Sequence, residues 1–418
     1  MKEVIGYNWA KYEAPDKSVR ALPKNVDIDD ETLRDGLQGT QVETHPTLEE
    51  KKIYIKAASE FADHFDLGFP GSENNHQGEI EKLINYKLSR GLDVSLSCAA
   101  RGAAKVDVVP IVRLRQKTGY PLEADLFHDV SEERALIQKW NRSDKIVQLV
   151  ENIKYLKEND VPVMMVLERA TSTEPAELFE ISRIASDLGI DRLCIADTQG
   201  RASPQAISNI IRATQYEIAS KYPNIKWDLH SHNDRGLGVV TCLVAASEGI
   251  DRVHATSLCV GERAGNVDLA CLLVNLNLEG FRSDNLEGIN EFSSLTSELL
   301  HVQIPTNAPV IGEEAFSTAS GVHADAQYKE ESHAEGYVGI YFAYDPVDVG
   351  RRPNVRIGPF SGESNVRYSL DDLGIDNPSD EMVKAILAEA KSGRGLLSKT
   401  KILGIATQYL NGVKEPSS

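Results

Sequence analysis

The stretch HSHND, residues 230–234, sets His230 and His232 one residue apart. In an extended strand the side chains at i and i+2 point to the same face, so both imidazoles aim at one spot. One metal ion needs such an arrangement from two of its ligands. The same spacing also occurs in ordinary cores, so the rest of the chain has to decide. A third candidate is Asp35, in DDETLRDGLQ (29–38), with Arg34 and Gln38 beside it. One carboxylate and two imidazoles leave positions open for a chelating substrate and water. Such a set suits Zn²⁺, Mn²⁺, Co²⁺ or Fe²⁺ and tolerates Mg²⁺. Asn266, closing GERAGN (261–266), can add a carbonyl oxygen.

Something must bring residues so distant in sequence together. Short β-rich runs recur down the first two-thirds: VDID from Val26, FDLGF from Phe65, VSLSC from Val94 and EADLF from Glu123. PVMMVLE from Pro162, RLCIAD from Arg192, KWDLHSH from Lys226 and RVHATSL from Arg252 continue the series. Helical patterns lie between them. Thr47 with Glu50 reads as a capping box, followed by an Ile53, Ala57, Phe61 stripe. Leu178, Ile181, Ala185 and Leu188 line another helix, which Gly189 can end.

Alternating strands and helices of this number predict a (β/α)8 TIM barrel, with catalytic groups at the C-terminal ends of the strands. A doubly wound sheet is the rival, weakened because no Gly-rich dinucleotide fingerprint follows the first strand. The boundaries expected are an N-terminal arm over 1–21, a barrel over 22–285, and a smaller, mainly helical C-terminal appendage over 286–418 that carries His323. SGRGLLSKT (392–400) lacks the second Gly of a phosphate loop and reads as ordinary helix.

The 45 Lys and Arg against 63 Asp and Glu give a net charge of −18, which argues against nucleic-acid or anionic-membrane partners. Five cysteines with no C-x-x-C spacing argue against a disulfide framework or a zinc knot. The N-terminus has no apolar core segment of a secretory signal, and the apolar runs are too short to span a bilayer, so a cytoplasmic protein is expected.

The motifs LRDGLQ, GFP (68–70), IADTQGRASP (195–204), HSHNDRG, GERAGN and AFSTASGVHADA (315–326) occur in the order seen in one family. The chain resembles, over about residues 25–365, the barrel enzymes that condense or cleave acyl-CoA units on a metal-bound 2-oxo acid: 2-isopropylmalate, homocitrate, citramalate and Re-citrate synthases, and hydroxymethylglutaryl-CoA lyases. The resemblance implies Asp35, His230 and His232 as ligands of a divalent metal (Mn, Mg, Zn or Co), with Asn266 as an outer one. It implies Arg34 facing the oxygen that becomes negative and Thr198 holding the substrate carboxylate. From position alone, Gln38 stands at the expected barrel mouth as a substrate contact. Arg134, just beyond the fourth strand, reads either as a contact for a second substrate carboxylate or as a helix-surface arginine. Glu168 and His323 would handle protons, His323 often serving a dimer partner's site. Acetyl-CoA and a 2-oxo acid are the implied partners, and a homodimer the implied assembly.

Three residues depart from the family pattern: Asp66 stands in place of Glu, Thr318 in place of His, and Arg235 follows HND. CVGERAGN has the synthase form of the loop, and Cys259 reads as a small buried residue rather than a lyase nucleophile. GERAGN leans toward 2-isopropylmalate synthase, while GVHADA and the length lean toward homocitrate synthase. The length also leaves little room for a leucine-sensing domain of ordinary size. Other classes fit less well. A two-His-one-carboxylate oxygenase usually has a jelly-roll scaffold, a metal-dependent hydrolase carries its HxH on the first strand, and the intact residue set argues against a protein that only binds.

Overall fold

The computed structural model describes residues 7–411 apart from 8, 19, 24, 73–75, 130 and 334–340. Eight parallel strands close into a barrel in sequence order. They are β1 (Asp27–Asp30), β2 (His64–Asp66), β3 (Ser95–Arg101), β4 (Glu123–Asp129), β5 (Val163–Glu168), β6 (Arg192–Asp197), β7 (Lys226–Ser231) and β8 (Arg252–Ala255). The closing seam pairs β8 with β1, Asp29 opposite His254. All eight runs read from the sequence are strands, and the barrel excludes the doubly wound alternative.

Strand alternation sorts the residues into two populations. Ile28, Phe65, Leu96, Leu126, Leu167, Ile195, Leu229 and Val253 occupy the face toward the helical ring and are all buried. The opposite face carries Asp29, His64, Ser97, Asp125, Asp228 and His254, also buried. The apolar core is therefore a shell around the barrel, and the barrel interior is mainly polar, with Met164, Val166 and Ala196 of β5 and β6 among its apolar members.

The helices follow their local signals. Leu48–Ala58 begins with the Thr47–Glu50 capping box, each side chain meeting the other's backbone N–H. Its buried face is Lys51, Tyr54, Ile55 and Ala58, and Ile53 is exposed, so the stripe expected through Ile53 and Ala57 is turned by about one residue. The cause is Tyr54, whose hydroxyl bonds Asp30, Thr32 and Ser257 and fixes the inward face. Pro175–Asp187 buries Leu178, Ile181 and Ala185 and ends before Gly189, at φ +75°. A polar N-terminal segment packs on the outer ring: Trp9 is 1% exposed, donates from Nε1 to the Thr173 carbonyl at 3.2 Å, and meets Phe179 edge-on.

Two compact units are present, 1–284 with 291–303, and 285–290 with 304–418. The second has a core of Ile357, Val366, Leu370, Met382, Val383, Ile386, Ala390, Ile402 and Ala406. It contains the helices Gly321–His333, Glu363–Asp372, Asp380–Ser392 and Lys399–Leu410, and a two-stranded parallel sheet of Ser317–Thr318 with Asn354–Val355. Most of SGRGLLSKT is not helical: 393–398 connects the last two helices, and the Ser398 hydroxyl caps the second. Among the described residues no helix is long and apolar enough to cross a membrane.

Truncating Trp9 to alanine removes a fully buried indole and should lower unfolding stability by about 3 kcal/mol. Urea denaturation followed by circular dichroism measures it; an unchanged midpoint would mean that the N-terminal segment contributes nothing to the barrel.

Candidate active site

The turn after β1 carries the first part of the site. Asp30 anchors it, accepting from the Thr32 backbone N–H at 2.8 Å and the Tyr54 hydroxyl at 2.5 Å. Arg34 and Asp35 follow at the barrel mouth. The Oδ2 atom of Asp35 lies 3.5 Å from His232 Nε2 and 3.7 Å from His230 Nε2, and accepts from the Asn266 amide at 2.7 Å. His232 and Asn266 also form an isolated backbone bridge, which fixes the loop after β8 against the end of β7. The four residues read as metal ligands thus converge, three of them as one group of donor atoms close enough for a single ion.

The chemistry of that group fits a divalent metal. Burial, and then His230, push the His232 pKa down to about 4, so its imidazole offers a lone pair at neutral pH. Asn266 Oδ1 and His232 Nδ1 are buried with no hydrogen-bond partner among the described residues. Two glycines let the loop come this close. A Cβ on Gly261 would sit 2.1 Å from Asn266 Oδ1, and one on Gly265 would sit 1.7 Å from the Cys259 carbonyl oxygen.

Arg34 is gripped from three sides. Its Nε donates to Asp66 at 2.8 Å, one terminal nitrogen to Asp35 at 2.8 Å and the other to Glu31 at 2.7 Å. Burial alone would depress its pKa, but Glu31, Asp35 and Asp66 raise it well above the usual range, so the guanidinium stays charged. Asp66, the departure from the family's Glu, still reaches Arg34; burial lifts its carboxyl to about 6 despite that cation.

Glu31 ties this rim to the barrel interior. It lies 3.0 Å from His230 Nδ1 and accepts from His254 Nδ1 at 2.7 Å. A carboxylate on the far nitrogen of a ligand imidazole fixes its orientation and raises its basicity. The line continues downward: His254 Nε2 lies 3.1 Å from Asp228, which also accepts from Arg252 at 2.6 Å and Arg192 at 2.8 Å. Burial would lower the His254 pKa, but Glu31, Asp228 and Asp29 hold it at about 10. Neither Glu31 nor His254 was singled out from the sequence. Their signal was the spacing of charged residues at every second position, Asp27, Asp29 and Glu31 in the first run, and Arg252 and His254 in the last.

Above this line lies a cavity of about 140 Å³, lined among others by Gln38, Glu168, Thr198 and Glu262. The Thr198 hydroxyl accepts from the Arg169 N–H at 2.9 Å, which leaves its own proton to donate. Burial and Asp129 raise the Glu168 carboxyl, against Arg134 and Arg169. Arg134 is not among the lining residues; its guanidinium lies over the Trp140 ring. His323 belongs to the second unit, exposed, with its ring stacked on Tyr341 at 4.0 Å. Arg235 donates to the Arg201 carbonyl at 2.6 Å and does not line the cavity. Cys259 is partly buried, its thiol donating to the Asn266 carbonyl at 2.9 Å and pushed up to about 11 by burial.

The model of one family matches residues 25–296, the whole of this barrel and the residues at its mouth: the chain belongs to the HMGL-like family. The chain is similar to a 2-isopropylmalate synthase of Methanocaldococcus jannaschii, 30% identical over 89% of this chain and 70% of the relative. It is 28% identical to a homocitrate synthase of Pyrococcus horikoshii, over 87% of this chain and 94% of the relative. Among solved structures, a hydroxymethylglutaryl-CoA lyase from Pseudomonas aeruginosa shares the fold, with a TM-score of 0.55 at 16% identity over 67% of this chain and 94% of that one.

The His254 pKa stands near 10 in the fold, against about 6.5 for an unfolded chain. The folded state therefore binds the proton more tightly. The stabilisation is complete below about pH 6.5 and is lost as pH rises through 10. Urea midpoints should accordingly fall across that window, and more steeply for the natural protein than for His254→Asn. Parallel profiles for the two would show that the imidazole is not held as a cation.

Proposed function

We propose that this chain condenses acetyl-CoA with a 2-oxo acid and then hydrolyses the thioester, in the manner of 2-isopropylmalate synthase. The observation that carries the reading is the convergence of Asp35, His230 and His232 beside a charged, buried Arg34 at the mouth of a small cavity. A divalent metal on those three residues would supply Lewis-acid polarisation of the oxo group. Thr198 donates its free hydroxyl proton to the acid's carboxylate. Glu168, its carboxyl raised by burial and Asp129, takes a proton from the donor methyl. His323 shares proton transfer with Glu168; that role rests on the family resemblance alone.

The electron pair left on the donor carbon forms the new carbon–carbon bond to the oxo carbon, whose oxygen takes up a proton to become a hydroxyl. Arg34 offers fixed positive charge to the oxygen on which negative charge grows, and in a dry site such a donor is worth far more than in water. Water then adds to the thioester, the carbon–sulfur bond breaks, and CoA leaves as the thiol. The engaged, high-pKa thiol of Cys259 supports the synthase over the lyase reading.

The cavity wall supports an acceptor with one carboxylate. Phe69, Ala99, Phe127, Met164, Val166 and Ala196 line it, together with the acids Glu168 and Glu262. Arg34 is the one cationic side chain among the lining residues, and all three of its nitrogens are engaged. A second substrate carboxylate would be buried against like charge with no free cation, which costs several kcal/mol. This favours 2-oxoisovalerate over the homocitrate and Re-citrate acceptors; pyruvate, the citramalate acceptor, also lacks a second carboxylate.

Thiol release from acetyl-CoA with a panel of 2-oxo acids and Mg²⁺, Mn²⁺, Zn²⁺ or Co²⁺ tests the proposal. Turnover is expected with 2-oxoisovalerate or pyruvate and not with 2-oxoglutarate or oxaloacetate. Asp35→Asn should be inactive, and Arg34→Lys should lose about 100-fold in kcat. Preference for a dicarboxylic acid would overturn the acceptor assignment, and silence with every acid would overturn the reaction.

A further inference from the structure

Inside the barrel, beside the line formed by Glu31 and His254, lies a second group of donor atoms that the proposed reaction does not use. Asp29 on β1, His64 on β2 and Asp125 on β4 are 0%, 4% and 4% exposed. Both carboxylate oxygens of Asp29, the Nε2 atom of His64 and the Oδ1 atom of Asp125 have no hydrogen-bond partner among the described residues. One donor atom from each residue lies within 4.8 Å of the other two. Buried polar atoms in folded proteins are nearly always satisfied, and a cluster that is not calls for a bound ion or water.

The spacing and the charges narrow the choice. His64 Nε2 lies 3.9 Å from Asp29 Oδ2, too far for a hydrogen bond. Ligand atoms held tetrahedrally at about 2.0–2.2 Å stand about 3.3–3.6 Å apart, so the pair would draw in by a few tenths of an ångström around one cation. The surrounding cations are already engaged. Arg34 pairs with Asp66, Glu31 and Asp35. Arg252 bonds Glu123 at 2.8 Å and Asp228 at 2.6 Å, and comes no nearer to Asp29 than 3.6 Å. Arg192 and His254 hold Asp228. That leaves Asp29 with only longer contacts, 3.6 Å to Arg252 and 3.8 Å to His254, and Asp125 with no ion pair among the described residues. Burial raises both carboxyls, and one divalent ion between them would take the place of the protons that burial favours. Burial, with Arg252 and Arg192 behind it, keeps the His64 imidazole well below its usual pKa and so in the neutral form that a metal requires.

We infer that Asp29, His64 and Asp125 form a second divalent-cation site inside the barrel, separate from the group at Asp35, His230 and His232. A mixed set of imidazole and carboxylates suits Zn²⁺, Mn²⁺ or Co²⁺ rather than Ca²⁺. Asp125 lines the cavity, which gives the ion a way in. The buried ion would offset carboxylates that are otherwise left uncompensated, a structural role independent of which acid the enzyme accepts.

Equilibrium dialysis of the full chain against Co²⁺, with metal content and the visible absorption of the bound ion as readouts, tests the site. Two ions per chain are expected. His64→Gln should retain one, Asp125→Asn one and Asp35→Asn one, with circular dichroism confirming the fold. If His64→Gln fails to fold, Asp125→Asn carries the test. A single ion, lost in Asp35→Asn and kept in His64→Gln and Asp125→Asn, would overturn the site and leave protons or water among these groups. So would two ions that His64→Gln and Asp125→Asn leave untouched. A single ion kept in Asp35→Asn but lost in His64→Gln would uphold the interior site and overturn the assignment at Asp35 instead.

Discussion

The arrangement depends on one buried carboxylate. Glu31 sits between the Arg34 guanidinium, the His230 ring and the His254 ring, at distances of 2.7, 3.0 and 2.7 Å. Burial raises its pKa, and those three neighbours bring it well below the usual range. A carboxylate taken from water costs several kcal/mol unless charge and hydrogen bonds compensate it, and removing one partner leaves the rest exposed to that cost. Glu31 also lies at the seam where the barrel closes, its N–H bonded to the Ala255 carbonyl on β8. The orientation of a ligand imidazole, the fixation of the cation and the closure of the sheet therefore rest on one side chain.

That ionic interior is possible because stability comes from elsewhere. The apolar strand residues face the helical ring, where Phe65, Leu126, Ile195 and Trp227 are fully buried. Burial of this kind contributes roughly 1.5–3 kcal/mol per large side chain. The inward face is thereby released from packing duty and can carry Asp29, Glu123, Asp125, Asp228 and Arg252. Ion pairs there add little net stability, but they hold geometry, because each charge is costly to leave unpaired.

What the sequence made legible follows the same division. Strand runs with outward Val, Ile and Leu, punctuated by capping signals, were enough to predict the eight-stranded barrel. At the mouth, polar residues in Gly-bearing motifs at strand ends stood out, so Arg34, Asp35, Thr198, His230, His232 and Asn266 could be named, and the structure brings them to one rim. Arg134 could be named too, yet it leans on Trp140 instead of the cavity. The interior line was harder to see, since Asp29, His64, Asp125 and His254 lie within strands, where a charge is ordinarily assigned to a solvent face. Only barrel closure turns that face inward. Ile53 failed for a similar reason: helical periodicity gives a stripe but not its phase, and the phase was set by the hydroxyl of Tyr54, bonded across to β1 and the loop after β8.

The loop after β8 shows how such a protein ages. Leu258, Cys259, Gly261, Arg263 and Gly265 all have positive φ, in a stretch that delivers Asn266 to the rim and Glu262 to the cavity. For the three residues that are not glycine, that conformation costs about 1–2 kcal/mol each. It persists because Arg263 is held by Asp234 and the Thr198 carbonyl, and Cys259 by the Asn266 carbonyl. Leu258 and Val260 also pack with Leu37, Val42 and Leu300, but Gly261, Arg263 and Gly265 take no part in that apolar cluster. A lineage released from selection for catalysis would relax here first, exchanging these glycines while the barrel stayed whole. Among descendants of this chain, an intact GERAGN is thus a record of continued use, and a clearer one than the persistence of the fold.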